Sequence, residues 1–387
     1  MKNGWQRKHV GELCTVIAGQ SPEGKFYNAN GKGMPFYQGK KAFGEKFVED
    51  PTTWTTQTPK IAQKGDILMS VRAPVGPVNF ATEEACIGRG LAAIRSRDEL
   101  NRDFLFYQLL HLQPKIAGKE GAVFASINKS EIEALSIALA PLPEQQRIVG
   151  LLDEAFAAIS TARENAEKNL RNARALFESQ VDAILTRRGD GWEKTTLGDV
   201  CSIARGGSPR PIKKFLTTDP DGVNWIKIGD ATASGKYILR TVEKITPEGV
   251  KRSRMVHDGD FLLSNSMSFG RPYIMRTSGC IHDGWLVLNG YDSTLDQEFL
   301  YYLLGSQPIF QQFDHLAAGS TVRNLNIDLA SRVEIPLPPM AQQRLIAQQL
   351  DAMSADTARL ESIYQRKAAV LNDLKQTLLD RAFIGKL

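Results

Sequence analysis

Residues 144–186 read EQQRIVGLLDEAFAAISTARENAEKNLRNARALFESQVDAILT, and this stretch decides the fold. Apolar or small residues recur there every three or four positions, and neither Gly nor Pro occurs after Gly150. This spacing is typical of an amphipathic helix with a coiled-coil-like seam. At ~1.5 Å per residue, a helix of some forty residues would form a rod of roughly 60 Å.

A second pattern of the same kind closes the chain. Its seam residues are Leu345, Leu350, Met353, Thr357, Leu360, Tyr364, Lys367, Leu371, Leu374 and Leu378. A helix with one apolar stripe must bury that stripe, and the two long helices are natural partners. We therefore expect two long antiparallel helices that form a coiled-coil spacer between two globular domains.

The chain also repeats itself. The run from Gly4-Trp5 to Ser21-Pro22 returns from Gly191-Trp192 to Ser208-Pro209, 187 positions later (191 − 4). Gly65-Asp-Ile-Leu returns as Gly259-Asp-Phe-Leu, and Pro141-Leu-Pro is matched with Pro336-Leu-Pro, each followed by Gln-Gln-Arg and a long helix. A period of nearly 190 residues (191 − 4) is far too long for a solenoid. The repeat predicts a duplicated domain and a pseudo-twofold molecule.

Each globular domain is predicted to be α+β. Residues 35–39, 66–72 and 86–95 are short strand candidates bounded by Gly and Pro, and Phe104–Ala117 is predicted to be a helix. The predicted boundaries are 1–143 for the first domain, 144–188 for the central helix, 189–339 for the second domain and 340–387 for the C-terminal helix. The two domains share these elements but differ in their loops, which favours two binding surfaces that recognise different things.

Composition sets the outer limits of function. The 387 residues carry a net charge of +5, with 42% hydrophobic and 24% charged residues, as in an ordinary globular protein. Neither a long apolar run nor a signal peptide is evident, so we expect a cytoplasmic protein without membrane contact. The four cysteines lack CxxC spacing and fall in equivalent pairs, which predicts core residues and no metal site.

Basic and small polar residues cluster in the divergent loops. Lys and Arg neutralise phosphates, whereas Arg, Asn and Ser can also read base edges, so these loops predict contact with DNA. Taken singly, each cluster is better explained as a solvated loop. The shared placement of the clusters on variable loops of a duplicated scaffold is what favours contact with DNA. The candidate DNA-binding residues are Lys40, Lys41, Arg72, Ser126, Arg205, Ser208, Arg210, Lys213, Lys214, Asn265, Arg271, Ser320, Thr321 and Arg323.

Catalytic motifs are missing where they would be needed. Gly19–Lys25 fits the spacing of a phosphate-binding loop, but Phe26 replaces the Ser or Thr that binds magnesium. No Asn-Pro-Pro-aromatic stretch of an amino-methyltransferase occurs, and the five histidines form no metal or triad pattern. His282-Asp283 is interpreted as a surface turn, and the chain as non-catalytic.

With these residues in view, the chain resembles the specificity subunit of type I restriction–modification systems over essentially its whole length. The resemblance rests on the tandem Gly-Trp openings, Gly207-Ser-Pro, Gly65-Asp-Ile-Leu, Asn324-Leu-Asn and, above all, Pro141-Leu-Pro-Glu-Gln-Gln-Arg-Ile before the central helix. The first copy departs from the pattern with Gln20-Ser-Pro and Ser126-Ile-Asn.

The resemblance implies two target recognition domains that each read half of a bipartite site in double-stranded DNA, with the helices setting the spacer. It implies two methyltransferase subunits docked on the chain and restriction–translocase subunits that complete the complex. No cofactor is then expected on this chain, since S-adenosylmethionine, ATP and magnesium would belong to the partners. Apolar helix positions that could receive a methyltransferase helix, or pack on the chain's own domains, are Val149, Leu151, Phe156, Leu176, Leu185, Ile346, Ile363, Val370 and Phe383.

Two other classes of function stay open. A coiled-coil scaffold that binds only proteins would leave the basic loops without a role. A self-sufficient methyltransferase or nuclease would need the motifs that are missing above. Binding of duplex DNA separates a scaffold from a DNA reader, and methyl transfer by the purified chain alone would identify an enzyme.

Overall fold

A computed structural model describes residues 4–117, 126–187, 189, 191–266, 269–317 and 324–387. The chain divides into two compact units, one of residues 1–167 with 365–387 and one of residues 168–364. Each long helix therefore contributes to both units. Because this division runs through both helices, the predicted boundaries at 143, 188 and 339 remain a prediction.

The first unit is α+β. Its strands are β1 Gln6–His9, β2 Cys14–Ala18, β3 Tyr27–Asn28, β4 Met34–Tyr37, β5 Trp54–Thr55, β6 Ile61–Ala62, β7 Ile67–Ser70, β8 Val78–Phe80, β9 Ala85–Ile87, β10 Leu91–Ser96 and β11 Ser136–Leu139. Its helices are α1 Val10–Leu13, α2 Arg102–Ala117, α3 Lys129–Glu133 and the first part of the central helix, α4 Leu142–Thr186. One sheet has the order β2-β10-β7-β8, a second has the order β3-β5-β4-β9-β6, and β1 pairs with β11.

The second unit repeats this topology and adds one strand at the edge of the first sheet. Its strands are β12 Glu193–Thr196, β13 Ser202–Arg205, β14 Leu216–Thr217, β15 Val223–Ile226, β16 Tyr237–Ile238, β17 Glu243–Ile245, β18 Arg254–Val256, β19 Phe261–Ser264, β20 Pro272–Met275, β21 Gly279–Ile281, β22 Trp285–Asn289 and β23 Glu334–Leu337. Its helices are α5 Leu197–Val200, α6 Ile228–Ser234, α7 Pro247–Val250, α8 Gln297–Gly305, α9 Gln307–Ala317, α10 Ile327–Ser331, the last part of α4 and the first part of the C-terminal helix, α11 Met340–Phe383, whose end belongs to the first unit. The sheet orders are β13-β22-β19-β20-β16 and β14-β17-β15-β21-β18, and β12 pairs with β23.

Apolar side chains hold the two long helices together within each unit. In the first unit, Ile148 and Leu152 near the start of α4 share a core with Leu379 and Ala382 near the end of α11. In the second unit, residues near the end of α4 share a core with Ala347 and Leu350 near the start of α11. The helices are therefore antiparallel. Each fully buried Leu or Ile contributes about 1.5–3 kcal/mol, so this seam is a major source of stability.

All four cysteines, Cys14, Cys86, Cys201 and Cys280, are buried and unpaired, as predicted for core residues. Burial raises the pKa of the Cys14 and Cys201 thiols to about 12. Thiols with such a high pKa are mostly protonated at neutral pH and therefore react slowly.

The start of the long helices corrects the register of the repeat. Strands β11 and β23, and helices α4 and α11, begin 198 positions apart in the two copies (334 − 136 and 340 − 142). Matching the two Pro-Leu-Pro runs is therefore wrong by three residues, since Pro336 lies within β23 whereas Pro141 precedes α4. Proline suits both an edge strand and the start of a helix, so similar tripeptides mark different places.

A buried glutamine explains the motif at the start of each long helix. The Gln145 side-chain amide donates hydrogen bonds to the carbonyls of Glu99 and Ala140 at 3.0 and 2.7 Å, and its oxygen accepts the Asn101 N–H at 2.8 Å. Gln343 repeats the arrangement on equivalent backbone groups in the second unit. Since both glutamines are fully buried, each fixes the helix start to the preceding loop.

A cluster of one lysine, one tyrosine and two carboxylates ties each globular domain to a long helix. In the first unit, Asp153 of α4 accepts hydrogen bonds from the Tyr107 hydroxyl at 2.5 Å and from the Lys46 ammonium at 2.7 Å. Lys46 lies 3.3 Å from Asp103 as well. Burial, followed by the hydrogen bond to Asp153, raises the pKa of Tyr107, so its hydroxyl remains a donor.

The second unit contains the same cluster on α11. Asp351 accepts hydrogen bonds from the Tyr302 hydroxyl and from Lys236, both at 2.7 Å, and Lys236 also pairs with Glu298. Burial opposes the charge of Lys236, but its hydrogen bonds to the two carboxylates raise its pKa overall. The loops around the two lysines differ, yet this attachment is kept in both copies.

Candidate nucleic-acid interface

Two equivalent turns lie at the centre of the candidate surfaces. The first joins β9 to β10 through residues 88–90, and the second joins β21 to β22 through residues 282–284. A glycine on the neighbouring loop touches each turn, because a Cβ on Gly19 or Gly206 would overlap a carbonyl oxygen of the turn. The close approach of two backbones explains why glycine follows β2 and β13.

A serine of the repeated Ser-Pro motif fixes each turn. The Ser21 hydroxyl accepts the Arg89 N–H at 3.2 Å, and the Ser208 hydroxyl accepts the Asp283 N–H at 3.3 Å. The motif by which the sequence repeat was found therefore serves to position the turn. Ser208 also donates to the Asp283 carboxylate at 2.5 Å, which leaves its hydroxyl little capacity for DNA.

In the first unit, two predicted residues meet. Arg72 and Ser126 form an isolated antiparallel bridge, and both line a cleft of about 610 Å³ together with Arg89 and Lys129. Arg72, Arg89 and Ser126 are exposed. This cleft therefore presents three cations and a hydroxyl, groups that suit a phosphate backbone and base edges.

Lys40 and Lys41 lie elsewhere in the first unit. They are exposed on the 3-10 turn Lys40–Ala42 and are not part of the lining of the cleft. They stay predicted phosphate contacts, without a geometric link to Arg72.

In the second unit, four of the predicted residues donate hydrogen bonds to Asp283. Its carboxylate accepts from Ser208 and, at 3.0 Å, from Arg210, and its carbonyl accepts from Arg205 at 2.9 Å and Asn265 at 3.1 Å. The hydrogen bond from Ser208 and the nearby Arg210 charge lower the pKa of Asp283. The carboxylate is therefore ionised at neutral pH and orients the exposed Arg210 side chain, whereas Arg205 is held by the Asp283 carbonyl.

Two of the predicted DNA-binding residues have side chains that are hydrogen-bonded within the protein. Asn265 is fully buried; its amide nitrogen donates to the Asp283 carbonyl, whereas its Oδ1 has no hydrogen-bond partner among the described residues. In this conformation Asn265 therefore supports the turn at Asp283. The hydroxyl of Ser208 is likewise used within the turn, as described above. The sequence alone cannot show that the Ser208 hydroxyl is already hydrogen-bonded, because its partner Asp283 lies more than seventy positions away (283 − 208).

The remaining candidate DNA-binding residues do not lie together. Arg271 lines a different cleft, of about 990 Å³, with Lys236 and Tyr301. Lys213 and Lys214 are exposed on the 3-10 turn Ile212–Lys214. Ser320, Thr321 and Arg323 lie outside the described residues.

Arg89 and Asp283 were absent from the predicted site. His282-Asp283 lies in a turn, as the sequence analysis predicted, but Asp283 also accepts the hydrogen bonds that connect the residues of the second surface. The available signal was the repeat itself, because Arg89 and Asp283 are 194 positions apart (283 − 89), the offset that relates the Gly-Asp strands of the two copies. Arg254 is not among the predicted DNA-binding residues either, and its guanidinium donates to the Arg205 carbonyl at 2.8 Å.

The predicted apolar positions on the long helices fall into two groups. Leu185 is buried, and Val149, Phe156, Ile346 and Phe383 are partly buried against the cores of their own units. Leu151, Leu176, Ile363 and Val370 are exposed. Leu345, Leu360 and Leu374 are exposed as well, so their prediction as buried residues of the helix seam is wrong. The first group belongs to the chain's own cores, and only the second offers surface to a partner.

Within the described part of the chain, no group of three or more His, Cys, Asp or Glu residues could hold a metal ion. Among the helices so described, none is long and apolar enough to cross a membrane.

Two ranges of the chain, 2–169 and 189–371, match the model of the type I restriction modification DNA specificity domain. The chain belongs to this family. The two matches coincide with the two copies of the repeat, and the predictions of a type I specificity subunit and of a duplicated α+β fold are confirmed.

Curated relatives and solved structures agree with this assignment. The chain is 43% identical over 168 residues to the candidate MjaX specificity subunit of Methanocaldococcus jannaschii, a match that spans 42% of this chain and 39% of that relative. It is 21% identical to the Escherichia coli EcoDI specificity subunit, across 99% of this chain and 88% of that protein.

Among solved structures, one from a study of assembly and conformational transition of the type I R-M system has a TM-score of 0.83 at 21% identity, covering 100% of this chain and 99% of that one. The HsdS subunit of Thermoanaerobacter tengcongensis has a TM-score of 0.60 at 20% identity, covering 100% and 98%. At these identities the similarity establishes the fold.

Proposed function

We propose that this chain is the non-catalytic DNA-recognition subunit of a type I restriction–modification complex. Each unit reads one half of a bipartite site in double-stranded DNA, and the paired helices set the number of base pairs between the halves. The alternative, a coiled-coil scaffold without DNA readout, is less favoured because it gives the two basic surfaces no role.

One observation carries the proposal: the same turn is built twice and surrounded by different charged side chains. A duplicated scaffold that keeps its backbone but changes its surface chemistry suits two half-sites of different sequence. Exposed Arg and Lys side chains supply phosphate contacts that fix the register, and arginine can also read guanine in the major groove.

We further propose two methyltransferase subunits and restriction–translocase subunits as partners, in the cytoplasm. The exposed apolar residues of α4 and α11 offer contact surface to helices of the methyltransferase. S-adenosylmethionine, ATP and magnesium belong to those partners in this proposal. The chain's contribution is then the choice of DNA sequence.

Selection from a pool of randomised duplexes tests the proposal. The full chain is used alone and together with the methyltransferase subunits encoded with it, at several stated salt concentrations. We expect recovered duplexes to share two short motifs at a constant separation, with binding that weakens as salt rises because counterions are released. Duplexes without a common motif, or no retained duplex, would favour the scaffold.

A further inference from the structure

The equivalent turns 88–90 and 282–284 differ in one chemically decisive position. Both are fixed by a serine hydroxyl that accepts the N–H of the middle residue, at 3.2 Å for Arg89 and 3.3 Å for Asp283. The serine thus holds the backbone of the middle residue in the same way in both units, and in the second turn His282 Nδ1 also accepts the Gly284 N–H at 2.8 Å. The side chain at that position is positive in the first unit and negative in the second.

Arg89 is available for a ligand. It is exposed, and among the described residues its guanidinium has no ion-pair or hydrogen-bond partner, since only its backbone N–H is bonded. It lines the 610 Å³ cleft beside Arg72 and Ser126. A guanidinium presents two parallel donors, and the O6 and N7 acceptors of guanine fit them in the major groove.

Asp283, at the same position of the second turn, binds side chains of its own unit. Both of its carboxylate oxygens already accept hydrogen bonds, one from Ser208 and one from Arg210. Arg210 remains 80% exposed while one nitrogen is held at 3.0 Å. The acidic residue therefore restrains an arginine that extends from a neighbouring loop.

We propose that this position determines specificity in each recognition domain. Arg89 reads a guanine in the half-site of the first unit, and Asp283 is a positioning residue that aims Arg210 at the half-site of the second. This inference rests on the proposed function, and it assigns the readout to two named positions.

The test is duplex selection with the full chain and four variants. Arg89→Ala removes the two parallel donors of the guanidinium, and Arg89→Lys keeps the positive charge without those paired donors. Asp283→Asn keeps the shape and removes the charge that holds Arg210. Arg163→Ala is the matched control, since this exposed arginine lies on α4 and pairs with Glu167 at 3.0 Å.

Arg89→Ala should lose discrimination at one or two adjacent base pairs of one half-site, by about ten- to a hundredfold, the contribution of a bidentate arginine–guanine contact. Arg89→Lys should lose most of the same discrimination while keeping the salt dependence of binding. Asp283→Asn should relax the other half-site alone. Arg163→Ala should leave both half-sites unchanged.

Three outcomes would overturn the inference. Arg89→Ala could weaken all duplexes equally, which would make Arg89 a phosphate contact. Arg89→Ala and Arg89→Lys could both keep the wild-type motif, or Asp283→Asn could change neither half-site. If the wild-type chain selects no motif, the proposed function fails as well, and that result is distinct from a wild-type motif that survives these substitutions.

Discussion

Asp153→Ala tests how the first recognition domain is attached to its helix. The substitution leaves the buried Tyr107 hydroxyl without the acceptor that lies at 2.5 Å, which costs about 1–3 kcal/mol. It also removes the ion pair with Lys46, which adds at most about 1 kcal/mol because the Asp153 side chain is 44% exposed and screened by water. The expected loss in the free energy of unfolding is therefore centred near ~2.5 kcal/mol.

Scanning calorimetry of the full chain measures this loss. For a unit of this size, ~2.5 kcal/mol lowers the midpoint of unfolding by roughly 5–10 °C. Glu154→Ala is the matched control, because Glu154 is exposed, adjacent on the same helix, and without a hydrogen-bond or ion-pair partner among the described residues. Its effect should stay within about 0.5 kcal/mol. Equal midpoints for Asp153→Ala and Glu154→Ala would refute the attachment.

Three further perturbations follow from the same contacts. Gln145→Ala should destabilise the first unit by about 2–4 kcal/mol in calorimetry, because several buried backbone groups lose partners, whereas the exposed neighbour Gln146→Ala should not. Gly19→Ala should abolish DNA selection by the first unit, since its Cβ meets the turn, whereas Gly24→Ala has open space and should retain selection. Burial lowers the pKa of His282, whose Nδ1 accepts the N–H of the turn at 2.8 Å, so stability should fall as pH drops below about 6.5. Melting at pH 7.5 and 5.5 measures this, and His282→Asn should reduce the difference.

The main architecture could be predicted from the sequence because its signals are local or repeated. Apolar spacing from 144 to 186 predicted a long helix, and α4 spans Leu142–Thr186. The Gly-Trp and Gly-Asp runs predicted the duplication. The match of the two Pro-Leu-Pro runs was wrong by three residues. In the second copy the tripeptide lies three residues further from the start of the long helix, and it therefore falls within β23.

The candidate site was predicted less well, because its contacts join distant segments. Arg205 and Arg210 were identified by charge, but their common partner Asp283 was not, since an acidic residue among basic ones has no local signature. Asn265 and Ser208 were chosen for their hydrogen-bonding groups, and folding uses those groups within the protein. Side-chain chemistry pointed to these loops but could not assign the role of each residue.

The most direct measurement of the central claim is the spacing of half-sites selected by a chain with longer helices. Seven residues of matching helical pattern are inserted after Glu167 in α4 and after Tyr364 in α11, where the two compact units divide. Seven residues add about 10 Å to a helix. We predict unchanged half-site motifs with about three more base pairs between them, at ~3.4 Å per base pair. Recovery of the wild-type spacing with both motifs intact would contradict the claim that the helices set the spacer.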